Sequence, residues 1–319
     1  MNVRQNHAQG HHDVSTVRKK REQDSKMATL LADFKSDLLV IVREYLEKQW
    51  GPGHIDNDRV LALFFDSLRR RPAVRKRRVW EADDFHCPKE HASGWEMLRM
   101  KIINGDDIGP HLSRDHASLT NLDGLLNEWG VHHLHLGTKP YLRDPSYIDR
   151  TPPLLFALIT DEDFYAINIY LHGGWESMSV IESLHRNWPQ VISRSRIKGI
   201  QGEALTEKER KVLRNSSIQT ASTMSDGTVY MAIGGGVASS GVSVDAVRRA
   251  DSAWEEMERL QVFVQDRIGG FVDHLRPRGY TDGQDIKARL VGFTPEGYQV
   301  LFPDYGVLAA DVKIEQGPL

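Results

Sequence analysis

Residues 131–137, Val-His-His-Leu-His-Leu-Gly, carry three of the 14 histidines of this 319-residue chain in a stretch of strand-like character. Side chains alternate faces along a strand, so His133 and His135 project together, while His132 shares the other face with Leu134 and Leu136. Two imidazoles side by side on a rigid strand suit either metal binding or proton transfer. Nine of the 14 histidines fall between residues 86 and 185, more than packing alone requires.

A second apolar stretch, 164–172, reads as a strand with Ile167, Ile169 and Leu171 turned to the core. Asn168, Tyr170 and His172 then line an accessible face, which His133 and His135 extend. Two chemistries compete for that patch. Three imidazoles from His133, His135 and His172 would bind zinc and leave a fourth position for water. Alternatively, the patch cleaves RNA without a metal. One histidine then takes the 2′-hydroxyl proton and another protonates the leaving 5′-oxygen, while Lys139 and Arg150 stabilise the phosphorane charge, with Arg143 a third cation. A third reading leaves the histidines as hydrogen-bonding members of a half-buried sheet. Known His-x-His patterns fit poorly. The amidohydrolase barrel needs some 250 residues of alternating strands and helices. The cupin glutamate position is Lys139, and the metallo-β-lactamase Asp-His is replaced by Gly137-Thr138. No cofactor is therefore expected.

The elements that would position this patch follow from periodicity. Apolar residues at helical spacing predict helices over 27–49, 58–70, 95–103, 119–129 and 176–187. Strands are expected at 131–137, 154–159 and 164–172, forming a three-stranded antiparallel meander with a tight second turn at 161–163. Thr206 to Glu209 matches a capping box. Ser225-Asp226-Gly227 reads as a hairpin turn, and the glycine-rich 234–241 segment as a connector to a long helix over 243–275. Val247, Ala250, Trp254, Met257, Gln261, Val264 and Ile268 form a coiled-coil-type seam on that helix. Residues 286–314 alternate as three short strands.

The fold class expected is therefore α+β: an antiparallel meander packed by helices, an N-terminal helical region, and a C-terminal long helix with a small β-appendage. Four stretches follow: a disordered basic tail at 1–25, a helical region at 26–118, a catalytic α+β domain at 119–200, and a hairpin, long helix and appendage at 201–319. The formal net charge of −3 excludes a generic polyanion binder. The charge is uneven, however, with seven cations at 69–78: Arg69, Arg70, Arg71, Arg75, Lys76, Arg77 and Arg78. Such a run either binds nucleic-acid phosphates or caps a solvated helix end. The single Cys87 excludes an intrachain disulfide and fits a reducing compartment. No apolar run is long enough for a membrane span, and a cytoplasmic location is expected.

The order helix, strand, strand, strand, helix over 119–188, with Arg150 ahead of the second strand, is similar to the compact fold of toxin endoribonucleases of the RelE class. The stretch Leu125-Leu126-Asn127-Glu128-Trp129-Gly130-Val131-His132-His133-Leu134-His135-Leu136-Gly137 also resembles a recurring motif of bacterial proteins to which no activity is attached. The toxin likeness implies a ribonuclease of toxin or phage-defence type, with His133, His135, Lys139, Arg150, Tyr170 and His172 as its functional set. Its partners would be RNA, an antitoxin, or a second copy through the 243–275 helix. The alternatives are a non-catalytic assembly protein and a zinc-dependent hydrolase.

Overall fold

The computed structural model describes residues 28–53, 55–113, 118–120, 123–171, 177–200, 205–216 and 218–314. In chain order its helices are α1 (Phe34–Trp50), α2 (Asn57–Arg70), α3 (Ala92–Asn104), α4 (Gly124–Trp129), α5 (Ser179–Asn187), α6 (Glu207–Asn215), α7 (Val244–Asp266) and α8 (Ile268–Leu275). Its strands are β1 (Leu30–Leu31), β2 (Arg78–Glu81), β3 (Val131–His135), β4 (Pro140–Tyr141), β5 (Asp144–Ile148), β6 (Pro153–Ile159), β7 (Asp163–Leu171), β8 (Arg196–Ile197), β9 (Ala221–Thr223), β10 (Val229–Met231), β11 (Ile286–Lys287), β12 (Arg289–Thr294), β13 (Gly297–Phe302) and β14 (Val307–Val312). The class is α+β. The chain divides into two compact units, one formed by residues 42–252 and the other by 1–41 with 253–319.

The larger unit is built on a four-stranded sheet of order β2-β7-β6-β3. β3, β6 and β7 form the expected antiparallel meander. The fourth strand starts at the last residue of the basic run, and β2 lies parallel to β7 with Arg78 opposite Asp163. Both faces are covered. On one, Val131, Phe156, Leu158, Tyr165 and Ile167 pack against Val180, Ile181 and Leu184 of α5. On the other, Leu134, Leu155, Ala157, Phe164 and Ala166 meet Trp95, Leu98 and Ile102 of α3. Burial on both faces explains why β6 is apolar throughout rather than alternating.

A register break in the β6–β7 pairing, between Phe156 and Ala157, corrects the expected division of β7. Ile167 joins the face that carries Phe156 and is fully buried, whereas Leu171 is 75% exposed. A bulge inserts one residue, so alternation counted from one end of the strand fails at the other.

Local signals account for the approach to β3. Asp123 caps α4 by accepting a hydrogen bond from the Leu126 N–H at 2.9 Å. Gly130 then adopts a left-handed φ of 69° and turns the chain directly into β3. Gly94 on α3 lies so close to β3 that a Cβ there would sit 1.8 Å from the Leu136 carbonyl oxygen. Helix α3 therefore seats on the strand only because residue 94 has no side chain.

In the smaller unit the helix expected from residue 27 begins at Phe34. Leu30 and Leu31 instead pair with Ile286 and Lys287, and the Asp33 carboxylate accepts from the Ser36 N–H at 3.0 Å within the first turn of the helix. β12, β13 and β14 form the antiparallel appendage. The long C-terminal helix is interrupted at Arg267, where φ and ψ of −103° and 13° separate α7 from α8. Met257, Leu260, Val264 and Ile268, on the seam or beside it, are already buried within the single chain.

Candidate active site

Helix α4 and strand β3 fix the histidines from both sides. The register sets His133 opposite Phe156, which in turn faces Asn168. The next row sets His135 opposite Leu154, which faces Tyr170. The sequence reading therefore brought His133, His135, Asn168 and Tyr170 to the same sheet face. That face is less open than expected. His135 is only 3% exposed, and the His133 side chain retains 13%. His132, on the opposite face, is 5% exposed. His172 lies outside the described residues.

Each imidazole has a defined setting. His133 turns Nδ1 toward the carboxylate of Asp123, 3.8 Å away. That separation exceeds hydrogen-bond length, so the carboxylate acts on the ring through its charge. His135 accepts a hydrogen bond at Nδ1 from the Thr151 N–H at 3.2 Å, which places its own ring proton on Nε2. The His135 carbonyl in turn accepts from Nδ1–H of His111 at 2.9 Å. His111 is 1% exposed, and burial holds its pKa below the ordinary histidine value.

Cations reach the same end of β3 through the segment after β5. The Asp149 N–H donates to the Lys139 carbonyl at 2.8 Å, and Thr151 Oγ1 accepts from the Leu136 N–H at 3.0 Å. Together with the Thr151–His135 bond, these contacts clip residues 149–151 onto 135–139. Gly137 permits the clip, since a Cβ there would lie 2.2 Å from the Asp149 carbonyl oxygen. Lys139 and Arg150 are both exposed on this rim, as is Arg143 at the turn between β4 and β5.

Tyr170 is half-buried, edge-on to Phe156 with ring centroids 5.1 Å apart, and burial raises its pKa. Its hydroxyl therefore stays protonated at neutral pH. Asn168 is engaged structurally, with Oδ1 accepting from the His86 N–H at 3.1 Å and Nδ2 donating to the Asp84 carbonyl at 3.0 Å.

The basic run is not the uniform cationic surface its composition suggests. Arg70 is 2% exposed, paired with the buried Asp66 at 3.1 Å, and donates to the carbonyls of Ser118 and Leu119. Arg69 reaches Asn127 Oδ1 at 3.0 Å and the Gly234 carbonyl. Arg77, 7% exposed, donates to the Thr160 carbonyl at 2.7 Å. These three hold α2 and β2 in place and are removed from any phosphate-binding surface. Of the remainder, Arg78 is tied to Asp163 at 2.8 Å, Arg75 to Asp161 at 3.1 Å, and Arg71 stacks on Trp50 at 4.3 Å. Lys76 is exposed. Helix-forming arginines and surface arginines look alike in a sequence, so the run gave no sign of this division.

Sequence reasoning also passed over Asp123, which looks like an ordinary helix cap and is one, yet also faces His133. The pairing of His185 with Asp226 and Tyr230 was likewise unmarked. Burial raises the Cys87 thiol pKa, which works against a reactive thiolate there. Among the described residues no three His, Cys, Asp or Glu side chains gather in a metal-binding group. Among them, too, no helix is long and apolar enough to cross a membrane. No family model, curated protein or solved structure matches the chain.

Proposed function

We propose that the larger unit binds single-stranded RNA at the cationic rim beyond the end of β3 and cleaves its backbone without a metal. The observation that carries this reading is the clip of residues 149–151 onto 135–139, which brings Lys139 and Arg150 beside His135. His133, with the Asp123 carboxylate 3.8 Å from Nδ1, is the general base for the 2′-hydroxyl. His135, buried and accepting the Thr151 N–H at Nδ1, is a positioning residue that holds the cationic segment against β3. Lys139 and Arg150 balance the charge of the phosphorane. Tyr170, kept protonated by burial, is a donor for the departing 5′-oxygen. The likeness to RelE-class toxins supports the same chemistry, and with it a cytoplasmic toxin or phage-defence role, with an antitoxin as the natural inhibitor.

The test is cleavage of a panel of single-stranded RNAs by the full chain, alone and as His133→Ala and Lys139→Ala/Arg150→Ala variants. Loss of the base should lower kcat by about 10²–10⁴-fold. Loss of both cations should lower it by about 10²-fold or more and flatten the salt dependence of RNA binding. Undiminished cleavage by His133→Ala sinks the assignment, as does a parent protein that neither binds nor cuts any RNA in the panel.

The burial of His111, His132 and His135 favours one other reading, a non-catalytic assembly protein whose histidines are packing elements. In that case His133→Ala, His135→Ala and His111→Asn change stability alone.

A further inference from the structure

On the same unit, but on the separate sheet of order β8-β10-β9, lies a cleft of about 570 Å³ that the histidine strand does not line. Its volume falls within the range of small-molecule sites. Its cationic side chains are Arg196 and Lys198, both exposed, and Ile197 and Val229 supply apolar wall. Arg70, Arg75 and Arg78 of the basic run are each matched by a carboxylate. Among the described residues, Arg196 and Lys198 form no ion pair, although they share this concave wall.

The cleft also contains a carboxylate, Asp226, whose orientation is fixed by hydrogen bonds. It accepts from the Thr228 N–H at 2.8 Å, from Thr228 Oγ1 at 3.1 Å and from His185 Nε2 at 3.1 Å. Thr228 and His185 hold its pKa below the usual carboxylate value. His185 is fixed at its other nitrogen, where Nδ1 accepts from the Tyr230 hydroxyl at 2.9 Å. Tyr230 is 2% exposed and stands opposite Arg196 in the β8–β10 ladder. The wall is thus braced from helix α5 through His185 and from the hairpin through Asp226, and the two cations outnumber the one carboxylate that lines the cleft.

We propose that this cleft binds a small phosphomonoester of about nucleoside-monophosphate size, its phosphate held between Arg196 and Lys198 and its apolar portion against Ile197 and Val229. A phosphomonoester carries close to two negative charges at neutral pH, matching two cations where a carboxylate would match one. The Arg196 guanidinium offers the planar fork for two phosphoryl oxygens, and Lys198 acts as a point charge. Asp226, His185 and Tyr230 are positioning residues that keep the hairpin turn against the wall.

The experiment is calorimetric titration of the full chain with adenosine monophosphate, inorganic phosphate and adenosine. The monophosphate should bind tightest, phosphate more weakly and adenosine weakest. Arg196→Ala/Lys198→Ala should weaken the monophosphate by about 10–100-fold with an unchanged circular dichroism spectrum. Lys198→Glu, at an exposed position, should do the same if the double variant is poorly folded. His133→Ala should leave binding intact, which separates this site from RNA cleavage. Absence of monophosphate binding to the parent at millimolar concentration overturns the proposal. Equal binding by parent and Lys198→Glu does so too.

Discussion

Gly137→Ala tests the clip on which the candidate site depends. The added Cβ would lie 2.2 Å from the Asp149 carbonyl oxygen and 2.9 Å from its carbonyl carbon. Ordinary carbon–oxygen contact is about 3.3 Å or more, so the two backbones must part by about 1 Å. Three hydrogen bonds span that junction: Asp149 N–H to Lys139, Leu136 N–H to Thr151, and Thr151 N–H to His135. At a net value of about 0.5–1.5 kcal/mol each, their loss costs about 1.5–4.5 kcal/mol. The smaller conformational entropy of alanine in the unfolded chain returns about 0.4–1 kcal/mol. The expected change is therefore a destabilisation of about 1–4 kcal/mol, within what a domain of ordinary stability survives. Urea unfolding followed by tryptophan fluorescence reports mainly on the larger unit, which holds Trp50, Trp80, Trp95, Trp129 and Trp188. RNA affinity measured on the folded variant should fall as well, since Arg150 leaves the side of His135. An unfolding midpoint equal to that of the parent would refute the close approach, and with it the geometry assigned to the cationic rim.

Two further outcomes follow from buried charge. Arg70→Leu strands the Asp66 carboxylate, which is 1% exposed, and should cost about 3–5 kcal/mol; Asp66→Leu/Arg70→Leu should recover much of that loss, and equal losses in the single and double variants would argue against the pair. Burial depresses the His111 pKa below 6.5, so the unfolded chain binds the extra proton first, and stability should fall as pH drops below about 6.5 at up to about 1.4 kcal/mol per unit. His111→Asn keeps a donor for the His135 carbonyl and removes the titration. Its pH dependence over the same range should be flatter, and parallel curves for parent and variant would exclude His111 as the source.

Periodicity made much of the scaffold legible. The apolar stripes at 58–70 and 95–103 became α2 and α3, and the meander, the capping box at Thr206 and the three C-terminal strands all formed. These signals are local, and local spacing carries them. What stayed hidden depends on distant partners. Val79 and Trp80 are too short a run between charges to announce a strand, and β2 exists through its pairing with β7 and the anchoring of Arg78 and Trp80 on Asp163. The bulge in β7 shifted Ile167 to the face opposite to the one alternation assigned it. For the site, the shared face of His133, His135 and Tyr170 could be read from parity, but Asp123 and the depth of His135 could not. The first has the spacing of a plain helix cap, and the second depends on what the 149–151 segment covers.

The parallel β2–β7 pairing has a consequence for how the chain is made. Arg78 leaves the ribosome 85 residues ahead of Asp163. At about 5–20 residues per second, β2 waits about 4–17 s for the strand that completes it. Through that interval Val79 and Trp80 have no ladder to join, and they are the kind of apolar segment that seeks one on another nascent chain. The cations at 75–78 flank them directly, and like charges keep such segments soluble and apart. A run that ends partly internal and partly tied to surface carboxylates thus acts first as a guard on an orphan strand, and its charge does its work before the fold has formed.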